Sequence, residues 1–569
     1  MIQESGHWQF DLRLDEFADI KFQGQTVLRS VRAVIRDRNW NTADLQIDSL
    51  TQAENEFELA VHSVGFDAEF TGIVGAKFEG AVATFTMELT AQQAYETNRT
   101  GLIVLHSPDV AGATLEVTHS NGETESAIFP ISISPNQPVL DIAALGWQQS
   151  HLQIDVAFAG DVFEMEDQRN WSDASFKTYS HPLSKPFPYL VAAGEKILQI
   201  LKIQVQQISA PIETAKQNRI ALTKSGKFPQ IQVGASTASD ALPESWETCG
   251  NPKGFSLVNE ITLVELDLQS TNWKAALDRA ADSSKKLDVR FIAQMESDLL
   301  AAVTQLKQLP VIRVGVFDSA SHVSTPALNK ALGLALAETQ LTVPVVTGAR
   351  SHFTELNREQ ETILPGATEL TFSITPLFHS LTTEQLLESV AMQRIIANQV
   401  VQMAEGKPVH IGPITLRPRF NNVATLKQPA PTKADLSEGY GAEFTGSNDE
   451  RQATRELAAW VIASAAATSV SGVDSITWFE QWGPRGLASE TGQEYPAAMA
   501  VRQLASLAGH DLYTGESPDG FVWAMGAQDS AGNLTGLASN LHRHPMVVEV
   551  TIEGQTHHIE LDALEWKKF

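Results

Sequence analysis

The stretch VPVVTGARSHFTELNRE, residues 343–359, decides how this chain is read. Val343, Val345 and Val346 form a short β-branched run of the kind that fills a strand buried on both faces. Gly348 ends that run, and Arg350, Ser351, His352, Thr354, Glu355, Asn357 and Arg358 follow at once. A buried strand that stops and releases such groups marks a site candidate, because the loops at the carboxyl ends of parallel barrel strands carry function. The reading holds only if the flanking sequence builds a barrel.

Outward from this stretch, short apolar runs alternate with amphipathic segments of helix length, the pattern of βα units. Eight candidate strands begin at Ile231, Leu263, Val289, Val311, Pro344, Leu370, Val409 and Ser475. Between them lie helical stretches such as ESDLLAAVTQLKQ, TPALNKALGLALAETQ and EQLLESVAMQRIIANQVVQMAEG. Eight such units over roughly 280 residues predict a (β/α)8 TIM barrel. An open doubly wound sheet would call for a Gly-rich phosphate loop, which is missing.

Upstream the signal is β. Alternating runs such as FDLRL, VLRSVRAVI, FELAV and ATFTMEL are separated by polar turns, and Asn121-Gly122 predicts a type I′ hairpin. The expectation is an N-terminal antiparallel β-sandwich over residues 1–205, the barrel over 206–510, and a small C-terminal β segment over 511–569 packing on the barrel or the sandwich. MVVEVTIEGQTHHIELDALEW supplies the last hairpin, turning at Gly554.

Composition bounds the function. With 569 residues, 43% hydrophobic and 19% charged, the chain is globular and holds more than one core. A formal charge of −27 argues against nucleic acid, which needs a basic face to replace phosphate counterions. No apolar run is long enough to span a bilayer, and the N-terminus lacks a signal-peptide core, so a cytoplasmic protein without membrane association is expected. Cys249 is the single cysteine, which excludes an internal disulfide and a multi-thiolate zinc site. The oligomeric state is not legible.

The predicted strand ends collect polar groups: Asp267, Glu296, Asp318, then Arg350, His352, Glu355, Asn357 and Arg358, then Thr375 and His379, then Arg417 and Arg419, and finally Trp478, Glu480 and Trp482. Trp faces cover the C–H patches of a sugar ring, while Arg, Asn and carboxylates satisfy hydroxyls. Glu355, Glu480 and His379 are the catalytic candidates. Two carboxylates on separate strand ends suit glycoside hydrolysis, and one alone can activate water for acyl hydrolysis. Each glutamate also has a structural reading. Glu480 can pair with Arg485, and Glu355 can complement the dipole of a helix first turn.

Two further stretches carry weight. FEMEDQRNWSDASFKTY, residues 163–179, is dense in polar groups, and Asn170, Trp171, Asp173 and Lys177 are candidate substrate contacts at the edge of a polyol site. The long polar loop from Arg417 to Asn448, with Glu443, reads as a lid. The HxH of His542 and His544 falls in the C-terminal β segment, the first barrel strand has no histidine, and there is no GxSxG elbow. No metal and no cofactor are expected.

Together FEMEDQRNWSDASFKTY, HFTELNR and SITWFEQWGPRGL resemble the D-apionate lactonase family over most of the chain. That resemblance implies a bacterial enzyme of apiose catabolism, on a fold similar to glycoside hydrolases, that opens D-apionolactone to D-apionate. Its partner would be a small sugar lactone. Glu355 would act as general base on water, with Glu480 opposite it and Arg358 or His379 polarising the carbonyl. The alternative is a glycoside hydrolase using Glu355 and Glu480. Glycosidase barrels of this kind usually carry their carboxylates after strands four and seven, whereas these fall after five and eight.

Overall fold

The structure is a computed structural model that describes residues 2–209, 218–239, 261–420, 422–423, 431–440 and 448–569. Cys249 and Glu443 lie outside the described residues. The chain forms two compact units: one holds residues up to Arg169 and the N-terminal strands from Ala174 onward, and the other holds Asn170–Asp173, the barrel and the C-terminal strands.

The first unit is antiparallel throughout, a sheet of 16 strands whose path returns on itself where Ile35 pairs with Ala43. Alternation dictates it. VATFTMELTA (Val82–Ala91) buries every second residue, so one pleated face enters the core. Phe10, Phe17, Phe57, Phe78 and Phe85 meet there, with Phe10 stacked on Phe78 at 5.2 Å. Such pairs contribute about 0.5–1.5 kcal/mol each beyond their area burial. The hairpin at Asn121 departs from expectation. His119 N–H bonds the Glu123 carbonyl, and only Gly122 has positive φ, so a longer turn replaces the two-residue type I′ form. At the C-terminal hairpin Glu553 and Gly554 both have positive φ and Ile552 pairs with Gln555, the two-residue geometry that matches strand twist.

In the second unit eight parallel strands close into a barrel. They are β1 (Gln230–Gly234), β2 (Ile261–Asp267), β3 (Lys286–Ala293), β4 (Val311–Asp318), β5 (Val345–Gly348), β6 (Glu369–Ile374), β7 (Val409–Ile414) and β8 (Val473–Glu480). Closure comes from β1 pairing with β8, Ile231 opposite Ile476. The strands are apolar because both faces are covered, one by barrel interior and one by helices. Charges inside the barrel are paired: Arg313 bridges Asp288 at 2.7 Å and Glu369 at 2.9 Å, and His410 joins Glu369 at 3.0 Å.

Gly348 ends β5 for a steric reason. Its φ is +149°, and a Cβ there would sit 1.9 Å from the Thr371 carbonyl oxygen of β6. The chain can therefore turn away only with glycine at that point. Helices between strands carry their own start and stop signals. Thr325 caps Pro326–Thr339 by accepting from Leu328 N–H, and Gln340 ends it in the left-handed conformation.

The C-terminal strands form a seven-stranded sheet that also takes in Arg219–Lys227, which runs parallel to Met546–Ile552 and antiparallel to Asp511–Thr514. The sheet packs on helix Glu456–Thr468, where Leu457 through Thr468 are all buried, and Ser539 Oγ donates to the Ala459 carbonyl at 2.7 Å. That helix is apolar all round because barrel and sheet cover opposite sides. No helix among the described residues is long and apolar enough to cross a membrane.

Candidate active site

After Gly348 the chain enters a six-residue helix, Phe353–Arg358, with Glu355 in its first turn. The Glu355 carboxylate accepts from Ser351 Oγ at 2.8 Å, from the His352 backbone N–H at 3.1 Å and from Asn422 Nδ2 at 2.5 Å. Every one of these donors is neutral. Burial raises the carboxyl above the ordinary glutamate range, and the hydrogen bonds and Arg358 only partly oppose it. Glu355 thus does combine a helix-cap role with a perturbed acid, which makes it more than a dipole complement.

Beside it lies an aromatic and imidazole cluster. Trp171 stacks on Phe378 at 4.4 Å and 13°, and the rings of His352 and His379 lie 5.2 and 5.5 Å from Trp171. The Arg358 guanidinium lies 6.0 Å from the same indole. Asp173 accepts from His379 Nδ1 at 2.8 Å and from Gln385 Nε2 at 2.9 Å. With a carboxylate at Nδ1, that nitrogen carries a proton and the ring is oriented by it. Burial, together with the positive charge of Arg419, pushes His352 down to about 3, so its ring is neutral at physiological pH.

The floor of the site is cationic. Glu265, in the middle of β2, receives Arg419 and faces Arg350, whose Nε lies 3.6 Å away. Burial pushes the Glu265 carboxyl up, but Arg419, Arg350 and Arg290 more than offset it and hold it below its usual range. Arg350 Nη1 meets His322 Nδ1 at 3.2 Å, and its guanidinium covers the Phe420 ring at 3.8 Å. His322 is pushed down to about 3 by burial and by Arg350. Two guanidiniums on one carboxylate leave net positive charge that acts on His352.

Several sequence candidates take other places. Glu480 accepts from Arg485 Nε at 3.0 Å and from Thr237 through its N–H and hydroxyl at 2.9 Å, which is the structural pairing rather than a site opposite Glu355. Trp478 and Trp482 are fully buried and offer no ring face to a sugar. Asn357 donates to Asn170 Oδ1 at 2.9 Å, and Thr354 Oγ1 donates to the Asn170 carbonyl at 2.9 Å. These bonds lock the Asn170–Asp173 segment onto the β5 helix instead of leaving amides for a ligand. Asp318 caps its own turn through Ala320 and Ser321, and Arg417 pairs with Asp449 at 2.9 Å. Lys177 lies in the other unit, on strand Phe176–Tyr179, bound to Glu166 at 2.5 Å. Residues 431–440 of the long loop are pinned down, with Thr271 Oγ1 bonded to the Lys433 carbonyl at 2.7 Å and Tyr440 bonded to β2. The expected lid residue Glu443 is outside the described residues.

Sequence reasoning passed over Glu265, His322, Phe378, Phe420 and Asn422. Glu265 carried a signal, an acid inside the apolar run LVELDL, because a charge in a doubly buried strand needs a partner. The others come from loops whose spacing says nothing of where they converge.

Comparison with known proteins adds three findings. A family model described as D-apionate lactonase, N-terminal domain, matches residues 2–208, and one described as D-apionate lactonase, TIM barrel domain, matches residues 256–509. A protein named D-apionate lactonase from Brucella anthropi is 27% identical over 556 residues, covering 90% of this chain and 88% of that protein. Among solved structures, a family 39 glycoside hydrolase from Bacteroides cellulosilyticus is 9% identical, covering 84% of this chain and 97% of its own, with a TM-score of 0.38. SrfJ from Salmonella typhimurium is 7% identical over 64% of this chain and 95% of its own, with a TM-score of 0.40.

Proposed function

We propose a function on one premise: the chain belongs to the D-apionate lactonase family. It is a carboxylic ester hydrolase acting on a sugar-acid lactone, with D-apionolactone opened to D-apionate as the reaction. The observation that carries the chemistry is the placement of Glu355, a buried carboxyl with raised proton affinity, among neutral donors and next to the Trp171–Phe378 wall.

In this reading the lactone ring lies beside the Trp171–Phe378 stack, whose apolar edge covers its C–H surface. Glu355 takes a proton from water as the water oxygen attacks the lactone carbonyl. The net positive charge of Arg350 and Arg419 over Glu265 stabilises the oxyanion that develops. The ring C–O bond then breaks, and Glu355 returns the proton to the leaving alkoxide, so water is divided between the new carboxyl and the new hydroxyl. His379, held by Asp173, meets a substrate hydroxyl and contributes specificity. Glu480 has no part in the chemistry and clamps the end of β8 to the loop after β1.

Retention of Glu480 by Arg485 and Thr237 also weighs against the glycosidase alternative, which requires a second carboxylate facing Glu355. An indicator assay of acid release decides between them. D-apionolactone and other five-membered aldonolactones are expected to turn over, and nitrophenyl glycosides are not. Glycoside cleavage without lactone opening would overturn the assignment.

A further inference from the structure

A second constellation of buried charge lies wholly within the N-terminal unit, on one face of its sheet. Neighbouring strands Gln25–Arg36, Arg99–His106, Phe176–Tyr179 and Phe163–Asp167 pair so that Arg36 is opposite Arg99, Arg32 opposite Ile103, Ile103 opposite Tyr179, and Leu105 opposite Lys177. Glu164 and Glu166 complete the rows beside Tyr179 and Lys177. Directly opposed residues share a face of the pleat. That face therefore gathers Arg32, Arg36, Arg99 and Lys177, against Glu164 and Glu166.

The pairing there is incomplete. Lys177 is bound to Glu166 at 2.5 Å, and Glu164 accepts from Tyr179. Arg32 bonds Asp15 at 3.3 Å. Arg99 is 3% exposed, and its Nε is buried without a hydrogen-bond partner. Its guanidinium makes ring contacts only, at 3.7 Å from Tyr179 and 5.3 Å from the partly exposed Trp40. Lys177 Nζ lies 4.9 Å from the same Tyr179 ring, so two cations converge on one aromatic ring. On the same sheet face Ser30 Oγ and Arg32 Nε are likewise buried without partners. A buried guanidinium with no anion, beside a second cation, is an arrangement that folding alone disfavours. Burial pushes Lys177 down to about 8, with Glu166 opposing the shift and Arg99 and Arg36 adding to it.

We propose that this face of the N-terminal unit, centred on Arg99 and Lys177, is a binding site for a small polyhydroxylated carboxylate. A guanidinium matches a carboxylate in paired hydrogen bonds, the Tyr179 and Trp40 rings suit a C–H surface, and Ser30 with the Lys177–Glu166 pair suits hydroxyls. Such a ligand has the chemistry of an opened sugar lactone, so its natural source rests on the lactonase reading. The site itself does not.

Isothermal titration of the full chain with D-gluconate, inorganic phosphate and neutral D-glucitol tests it, using Arg99→Leu and Arg99→Lys beside the unaltered protein. The expected result is binding of gluconate but not glucitol, weakened at least tenfold in Arg99→Leu and partly restored in Arg99→Lys, with the fold of each variant checked by circular dichroism. Binding of phosphate with equal affinity and no preference for gluconate would overturn the carboxylate assignment. A folded Arg99→Leu that binds gluconate unchanged, or an unaltered protein that binds no anion, would overturn the site. If Arg99→Leu does not fold, Lys177→Met takes its place with the same expected loss. Lactone turnover without Arg99-dependent binding would refute this proposal alone, and anion binding without lactone turnover would refute only the proposed reaction.

Discussion

Glu355 and Glu480 are the same residue type, one in the helix turn after β5 and the other the last residue of β8, and they differ in their donors. Glu355 is surrounded by a hydroxyl, a backbone N–H and a side-chain amide, and burial drives its proton affinity up. Glu480 is held by a guanidinium and by Thr237. Neutral donors orient a carboxylate without neutralising it, whereas Arg485 satisfies the charge in place. The two glutamates differ in partner set as well as in place, one buried among neutral donors and the other ion-paired.

The comparison can be broken most directly at Glu355. Glu355→Gln keeps the side-chain shape and is expected to lower kcat by about 10²- to 10⁴-fold, the usual range for loss of a general base. Circular dichroism and melting should be close to those of the unaltered protein. Full turnover of D-apionolactone in that variant would end the assignment. Glu480→Ala should act in the opposite way. Removing one partner of a buried pair leaves Arg485 uncompensated and costs about 3 kcal/mol in denaturant unfolding, while kcat of the folded fraction stays within a few-fold.

A smaller effect is expected at Asp173. Asp173→Asn loses the carboxylate that fixes His379 and should reduce kcat/KM by about tenfold, equivalent to about 1.4 kcal/mol, through one weakened hydrogen bond. The loss should be greater for the lactone carrying every hydroxyl than for a deoxy analogue, and equal losses on both would remove His379 from substrate recognition. The smallest shift lies in the pH profile. Glu355 acts as a base only when ionised, and burial raises it above its ordinary 4.5, so kcat/KM should climb with pH through a midpoint above that value. His352 and His322, pushed down to about 3, add no limb near neutrality. A midpoint at or below 4.5 would contradict the buried-base account.

Much of this was legible in residue order. The alternation of VATFTMELTA and the eight apolar runs between amphipathic segments carried enough periodicity to assign both folds and to count the strands. Gly348 was legible as a break, though the reason, a carbonyl of β6 where its Cβ would stand, belongs to packing. The site was read less well. Trp478 and Trp482 looked like platforms for a sugar, yet both are interior, because an indole in an apolar strand is burial surface unless a loop exposes it. Asn170 and Asn357 looked like ligand contacts and instead bond each other across nearly two hundred positions.

By itself, then, the order of residues determined the barrel, the antiparallel N-terminal sheet, and the concentration of polar residues after β5, since hydrophobic period and chain-breaking glycine are local properties. Tertiary structure alone decided which partners each of these carboxylates receives. It brought Arg350 from beyond β5 and Arg419 from beyond β7 onto Glu265 of β2, set Trp171 from far upstream against His352, and tied Glu480 to Arg485. The physical reason is that the proton affinity of a carboxyl depends on burial and on charges within a few ångströms, and those neighbours come from segments that no local pattern connects.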